Sequence, residues 1–259
     1  MINQKKILLT GVNSKISNYI SKKLYQKKFQ LYGLTSSKII SKKYYKQIGS
    51  IHDYNFLKNT LQQCEYIIHV GWSRKSNNNN LKFYNKLLRL KNKKTKIIFF
   101  STVAASPNAI SYYGKTKYEL SNINLLNKNI NLFIGLVDFK FSNHIQLLNK
   151  TFNFRLFQIR FTKNIFNVYY VKIENLVKLI LEIIKYKKSK SNYLVVDKIF
   201  KINDFLDFCD NKKKFKIYLP YFLTIFFIKL IQAIKTNNVL IDKIKTFTYK
   251  DENFLNKFK

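Results

Sequence analysis

Acidic residues are scarce in this chain. Asp and Glu number 13 against 48 Lys and Arg in 259 residues, a formal net charge of +35. Glycine (6), proline (2), cysteine (2), methionine (1) and tryptophan (1) are also rare, and Arg and Ala number four each. Cys64 and Cys209 supply neither a disulfide framework nor metal-ligand spacing, which fits a reducing compartment. His52, His69 and His144 are scattered, so no metal centre is expected. Gly, Pro, Ala and Arg use G/C-rich codons and the abundant Lys, Asn, Ile, Phe and Tyr use A/T-rich ones, so an A/T-rich genome explains both. That bias discounts the charge. A net +35 points to nucleic acid or an anionic membrane, but readers of nucleic acid favour Arg for bidentate contacts, and here Lys is spread along the chain. Nucleic acid is therefore disfavoured as a partner.

What is present is an alternation. Apolar strand patterns fall near 5–10, 30–34, 66–70, 96–101 and 130–136, and helical patterns near 16–27, 53–62, 81–91 and 113–126. Such alternation predicts an α/β fold with a parallel sheet and helices on both faces. A hydrophobic content of 46% is ample for a core. The N-terminus enters a strand at once, with no secretory signal, and a cytoplasmic location is expected. After about residue 140 the regularity breaks, although 176–184 reads as an apolar helix and 193–196 as a further strand.

Two segments carry chemistry. The run Ile97–Phe100 ends in Ser101 and Thr102, and Tyr113-Gly-Lys-Thr-Lys117 follows. Tyr113 and Lys117 stand at i and i+4, one above the other on a helix. A phenol with a pKa of about 10 is a poor acid or base at neutral pH. An ammonium one turn away favours the phenolate, and a Ser or Thr hydroxyl can hold a substrate oxygen while Tyr moves its proton. This set suits interconversion of an alcohol and a ketone beside a hydride acceptor. A Tyr-x-x-x-Lys pair alone is weak evidence in a chain with 18 Tyr; its position after a strand ending in two hydroxyls strengthens it. The second segment opens the chain. A strand through Thr10 runs into Gly11, and a helix begins near Ile16, the arrangement in which a helix N-terminus receives a pyrophosphate.

Together these segments resemble the NAD-dependent epimerase/dehydratase branch of the extended short-chain dehydrogenases/reductases, over most of the chain. Thr10-Gly11-Val-Asn13-Ser14-Lys15-Ile16-Ser17 stands at the family's Thr-Gly-x-x-Gly-x-x-Gly turn. Gly49-Ser50-Ile51-His-Asp53 stands at its adenine-side Gly-Asp-Ile-x-Asp. Tyr66–Val70-Gly71 resembles its fourth strand, and Asn80 its Asn at the next helix start. Ser101-Thr102, Tyr113 and Lys117 look like its catalytic set, and Tyr169–Leu176 like the return to the main domain. All six glycines lie at or near these segments.

The resemblance implies a Rossmann-like doubly wound parallel sheet with a small C-terminal substrate lobe. The dinucleotide-binding domain would take 1–141 and 166–198, and the lobe 142–165 and 199–259. It implies NAD or NADP as cofactor and a nucleotide-linked sugar as substrate, with 4-keto reduction or C4 epimerisation in surface polysaccharide synthesis, and it admits a homodimer. Tyr113 would be the acid/base, Lys117 its pKa-lowering partner and ribose ligand, and Thr102 with Ser101 the hold on the sugar oxygen. Gly11, Asn13, Ser14, Lys15, Ile16, Ser36, Lys38, Ser50, Ile51, Val70, Gly71, Asn80 and Lys117 would line the cofactor. Hydroxyls and Lys38 after the second strand, in place of an Asp or Glu, tilt the choice slightly toward NADP, since they suit a 2′-phosphate.

The sequence also departs from the pattern. Ser14 and Ser17 replace two turn glycines, Ser50 replaces the acidic adenine contact, and Phe133-Ile134-Gly135 stands where the family has Arg-Pro-Gly. A non-catalytic RNA-binding or regulatory protein on the same fold, with an eroded cofactor site, is the alternative. The stretch 218–234 is nearly apolar with Pro220 placed to start a helix. Packing within the lobe ranks first for it, peripheral membrane contact second and membrane spanning third.

Overall fold

The computed structural model describes residues 4–37, 43–73, 77–138, 157–164, 166–186, 190–210, 214–234 and 239–258. Two compact units emerge: 1–101 with 119–132 and 177–193, and 102–118 with 133–176 and 194–259.

The first unit is built on parallel strands β1 (Lys6–Thr10), β2 (Gln30–Thr35), β3 (Gln47–Ser50), β4 (Tyr66–His69) and β5 (Lys96–Thr102). With β6 (Ile130–Ile134) and β10 (Asn192–Val195) they form a seven-stranded sheet in the order β10-β6-β5-β4-β1-β2-β3. From β1 the chain winds outward through β2 and β3, then restarts on the other side at β4. The switch point therefore lies between β1 and β4, where open α/β sheets bind ligands beyond the strand C-termini. Apart from the half-buried Lys6 both strands are buried, with apolar runs at Ile7–Leu9 and Tyr66–Ile68, as suits strands covered on both faces. Helices α1 (Lys15–Gln26), α2 (Tyr54–Gln63), α3 (Asn77–Leu90) and α4 (Tyr112–Leu126) follow β1, β3, β4 and β5. Leu8, Leu34, Leu57, Leu61, Ile67, Tyr84, Leu87, Ile97 and Phe99 share one core cluster. The fold class is as expected.

The second unit carries two small sheets. One joins β7 (Leu136–Asp138), β9 (Asn167–Lys172) and β11 (Lys198–Lys201) in the order β11-β9-β7; the other pairs β8 (Phe157–Phe161) with β12 (Phe215–Leu219). Phe161, Tyr170, Phe200, Ile202, Phe205 and Leu206 form its core. Helix α5 (Ile173–Tyr186) begins in this unit; α6 (Ile202–Cys209), α7 (Tyr221–Ala233), α8 (Val239–Thr248) and α9 (Glu252–Asn256) complete it. The buried Arg160 guanidinium donates to Gln158 Oε1 and Asp207 Oδ1, both at 2.8 Å.

Glycine scarcity leaves a mark on helix ends. Lys28, just past α1, has φ of +62°, and Lys128, just past α4, has φ of +54°. That left-handed position is ordinarily glycine's, because a Cβ there costs about 1–2 kcal/mol. Glycine loses about 0.5–1 kcal/mol of that gain to chain entropy. Lys28→Gly and Lys128→Gly should therefore each raise stability, by about 0.5–1 kcal/mol, in urea unfolding. A loss of stability in both would contradict the assigned backbone.

Candidate functional site

In the first unit the site begins where β1 ends. Gly11 has φ of +69°, and a Cβ on it would stand 2.6 Å from Gly71 Cα. Any other residue would be strained there and would collide with the loop after β4. Thr10 Oγ1 accepts from the Gly71 N–H at 2.9 Å and is hydrogen-bonded to His69 Nδ1 at 2.8 Å. His69 is buried and stacks on Phe99, a satisfied core histidine as expected. The Gly11 N–H donates to Leu34 O at 2.9 Å.

Ser14 and Ser17 have different roles. Ser14 is exposed and caps α1, accepting from the Ser17 N–H at 3.1 Å. Its hydroxyl also donates to Ser17 Oγ at 2.9 Å, and the fully buried Ser17 donates to Thr10 O at 3.4 Å. A hydrogen-bonded chain thus joins helix to strand where glycines would permit bare contact. The turn keeps the three features an anion needs: a glycine bend, a capped helix N-terminus and, on Lys15, an exposed cation. A cavity of about 100 Å³ beside it is lined by Val12, Asn13, Ser14, Lys15, Asn18, Tyr44 and Tyr45; Ile16 is half-buried next to Lys15. A dinucleotide pyrophosphate fits this donor set.

The neighbouring loops are latched to the turn. Asn13 Nδ2 donates to Thr35 Oγ1 at 3.3 Å and Ser37 Oγ at 2.9 Å. Ser36 is exposed; Lys38 lies outside the described residues. Ser50 is exposed, and its hydroxyl accepts from the His52 N–H at 3.1 Å, while the Ile51 N–H donates to Thr35 O at 2.9 Å. Val70 is half-buried, next to Gly71. Asn80 is buried on the first turn of α3 and grips Ser73 twice, accepting from its N–H and donating to its carbonyl, both at 2.8 Å. Asn80 thereby fixes the loop that carries Gly71. Ser101 is buried and accepts from the Ser121 hydroxyl at 2.8 Å, whereas Thr102, one residue on, is half-buried.

In the second unit, Thr102 Oγ1 accepts from the Ala104 N–H at 3.3 Å. A Cβ on Gly114 would stand 2.6 Å from Ala104 O. Gly114 therefore lets the first turn of α4 press onto the backbone just after Thr102. Ser111 caps that turn, accepting from the Gly114 N–H at 3.0 Å. Asp242 of α8 completes it, its carboxylate accepting from the N–H groups of Tyr112 at 2.5 Å and Tyr113 at 3.2 Å. Sequence reading missed Asp242, because no local pattern links positions 130 residues apart.

Tyr113 is half-buried, and Lys117 Nζ lies 5.8 Å from its ring centre. Lys117 is buried, and burial pushes its amine down to about 7. The i, i+4 expectation holds in space: the buried amine lies over the ring of the half-buried phenol. A phenolate on Tyr113 would favour the charged form of that amine.

No known family's sequence profile matches this chain, and no curated protein matches it in sequence. Solved structures do match in shape. A UDP-glucose 4-epimerase from Thermotoga maritima, solved with UDP-glucose, has a TM-score of 0.64 at 16% identity, covering 98% of this chain and 100% of that one. A nucleoside-diphosphate-sugar epimerase from Staphylococcus aureus has a TM-score of 0.68 at 10% identity, covering 98% and 95%. A dTDP-glucose 4,6-dehydratase from Bacillus anthracis in complex with NAD has a TM-score of 0.65 at 12% identity, covering 83% and 84%. The chain has the fold of these epimerase and dehydratase structures.

A lysine whose folded pKa lies below its unfolded value of about 10.4 makes stability rise with pH between the two, because the unfolded chain binds more protons there. From pH 7 to 8.5 wild type should gain about 1–2 kcal/mol from Lys117 in urea unfolding. Lys250, half-buried but with its amine desolvated against the Phe247 and Tyr249 carbonyls and pushed down to about 7, acts in the same direction. Cys64, pushed up to about 12, opposes both only at higher pH. Lys117→Met should flatten part of the rise; an identical slope in wild type and variant would contradict a buried, depressed amine.

Proposed function

We propose that this protein is an NAD(P)-dependent oxidoreductase acting on a nucleotide-linked sugar. The observation that carries the reading is the Tyr113–Lys117 pair, fixed by Gly114 and Asp242 beside the turn that bears Thr102. The fold shared with nucleotide-sugar epimerases and dehydratases supports it, as does the glycine turn at the sheet's switch point.

In this reading the dinucleotide lies along Gly11, Asn13, Ser14, Lys15 and Ile16, with its adenosine side near Ser36, Ser50 and Ile51. Val70 and Gly71 serve the other end, and Asn80 holds the loop that carries Gly71. The bound dinucleotide supplies a hydride acceptor or donor. The protein's own groups handle the proton. Thr102 holds the reacting oxygen of the sugar by a hydrogen bond, a role Ser101 fills less well because its hydroxyl is buried on Ser121. Tyr113 takes the proton when a ring alcohol is oxidised and returns it when a ketone is reduced. Lys117 stabilises the phenolate between those events and bonds the ribose. Residues 142–165 and 199–259, partly outside the described set, form the substrate-binding side. The reaction is a 4-keto reduction or a C4 epimerisation, with surface polysaccharide synthesis as its setting.

Tyr113→Phe deletes only the transferable proton. Dinucleotide binding and the urea midpoint should stay at wild-type values, while turnover on a panel of UDP- and dTDP-sugars falls by about 10²–10⁴-fold. Thr102→Val should cost less. Unchanged turnover in Tyr113→Phe would sink the mechanism. The hydroxyl-rich end of β2 leans the cofactor toward NADPH. That lean fails if NADH binds at least as tightly and Lys38→Ala leaves NADPH affinity unaltered.

A further inference from the structure

Helix α7 has no acidic neighbour in sequence and little cover in space. Between Asp210 and Asp242 the chain has six lysines and no Asp or Glu. Of the 13 residues of α7 only Thr224 is buried. Phe222, Phe226, Leu230, Leu223 and Phe227 are all exposed, Phe222 at 69% and Phe226 at 61%.

These side chains are not scattered. At about 100° per residue, Phe222, Phe226 and Leu230 stack at successive turns, with Leu223 and Phe227 beside them. They form one outward stripe about 140° wide. Thr224, Ile225, Ile228 and Ile231 fall on the other side and are buried or half-buried. Lys229 sits at the edge of the stripe and is exposed. Lys163 Nζ lies 5.1 Å from the Tyr221 ring centre. The strand just before the helix is exposed as well, at Phe215, Ile217 and Tyr218. Single exposed apolar residues need no explanation, but a stripe of them with a basic rim marks an interaction surface.

We infer that α7 docks this protein on an anionic lipid bilayer, its Phe222–Phe226–Leu230 stripe lying in the headgroup boundary and its lysines against the lipid phosphates. Charge chooses this occupant over a second copy of the chain. Each copy brings a net charge of +35, which repels another copy and attracts an anionic surface. Length decides between lying and spanning. The helix is 13 residues long, about 20 Å, too short for a hydrocarbon core of about 30 Å. Among the described residues no helix is long and apolar enough to cross a membrane. An apolar face with lysine at its rim is the pattern of helices that lie in the interface plane. Docking is independent of the proposed chemistry, because it uses none of the residues assigned to proton transfer or to the dinucleotide.

The test is co-sedimentation of the full chain with phosphatidylcholine vesicles and with vesicles containing equal phosphatidylglycerol. The mixed vesicles should bind it, and raised salt should weaken binding. Phe222→Ser with Phe226→Ser should weaken it at least about tenfold with the urea midpoint retained. Phe226→Trp guards against a folding defect: bromine-labelled acyl chains should quench the added fluorescence, with the wild-type signal of Trp72 subtracted. Failure to bind the mixed vesicles, equal binding by the double variant, or an unquenched Phe226→Trp would overturn the inference. So would a wild-type dimer that the double serine variant splits while vesicle binding is unchanged, which would assign the stripe to a second copy.

Discussion

Gly11 and Gly71 touch backbone to backbone at the C-terminal ends of β1 and β4, and the proposed site depends on that contact. A Cβ on Gly11 would stand 2.6 Å from Gly71 Cα and must displace that loop, and one on Gly71 would press to 3.0 Å on the Gly11 nitrogen and Thr10 Oγ1. Thr10 reinforces the contact by accepting the Gly71 N–H while bonded to the buried His69. The contact sits where the winding of the sheet reverses. It leaves the N-terminus of α1 beside a polar turn at the place where this kind of sheet holds ligands.

Around that contact, hydrogen-bonded side chains do what glycines do in a glycine-rich turn. Ser14 and Ser17 tie α1 to Thr10, Asn13 ties the turn to the end of β2, and Asn80 ties down the loop after β4. The same substitution recurs at helix ends, where Lys28 and Lys128 adopt left-handed backbone. A Gly-poor, Asn- and Lys-rich composition has thus been accommodated at a small cost in strain. The polar replacements are consistent with a working turn as much as with an eroded one, since Ser14 still caps the helix and Lys15 still presents its charge.

Much of the fold was readable from apolar periodicity, because buried parallel strands and amphipathic helices leave strong local patterns. Strands β1, β2, β4, β5 and β6 and helices α1, α2 and α4 fall within a few residues of the expected places, whereas the short edge strand β3 was not expected. Helix α3 starts earlier than expected, at Asn77, because Asn80 turns inward to hold Ser73 instead of opening the helix. Short strands β7, β8, β11 and β12 gave little signal, since pairing across distant segments decides them. Of the candidate site, the Tyr113–Lys117 geometry follows from spacing alone. The support from Asp242, the diversion of Ser101 onto Ser121 and the depth of Lys117 are tertiary facts with no local signature. The apolar stretch at 218–234 was expected to pack within the lobe; α7 does pack against α8, while its Phe222–Phe226–Leu230 stripe is exposed among the described residues.

The central claim is that this turn still holds a dinucleotide. Titration of NADPH and NADH into the full chain, followed by nicotinamide fluorescence, tests it most directly when paired with Ser14→Asp. Aspartate preserves the helix cap but sets a negative charge against a pyrophosphate. The account predicts saturable binding to wild type and a loss of at least about tenfold in the variant. Absence of binding to folded wild type at millimolar dinucleotide, or equal affinity in Ser14→Asp, would contradict it.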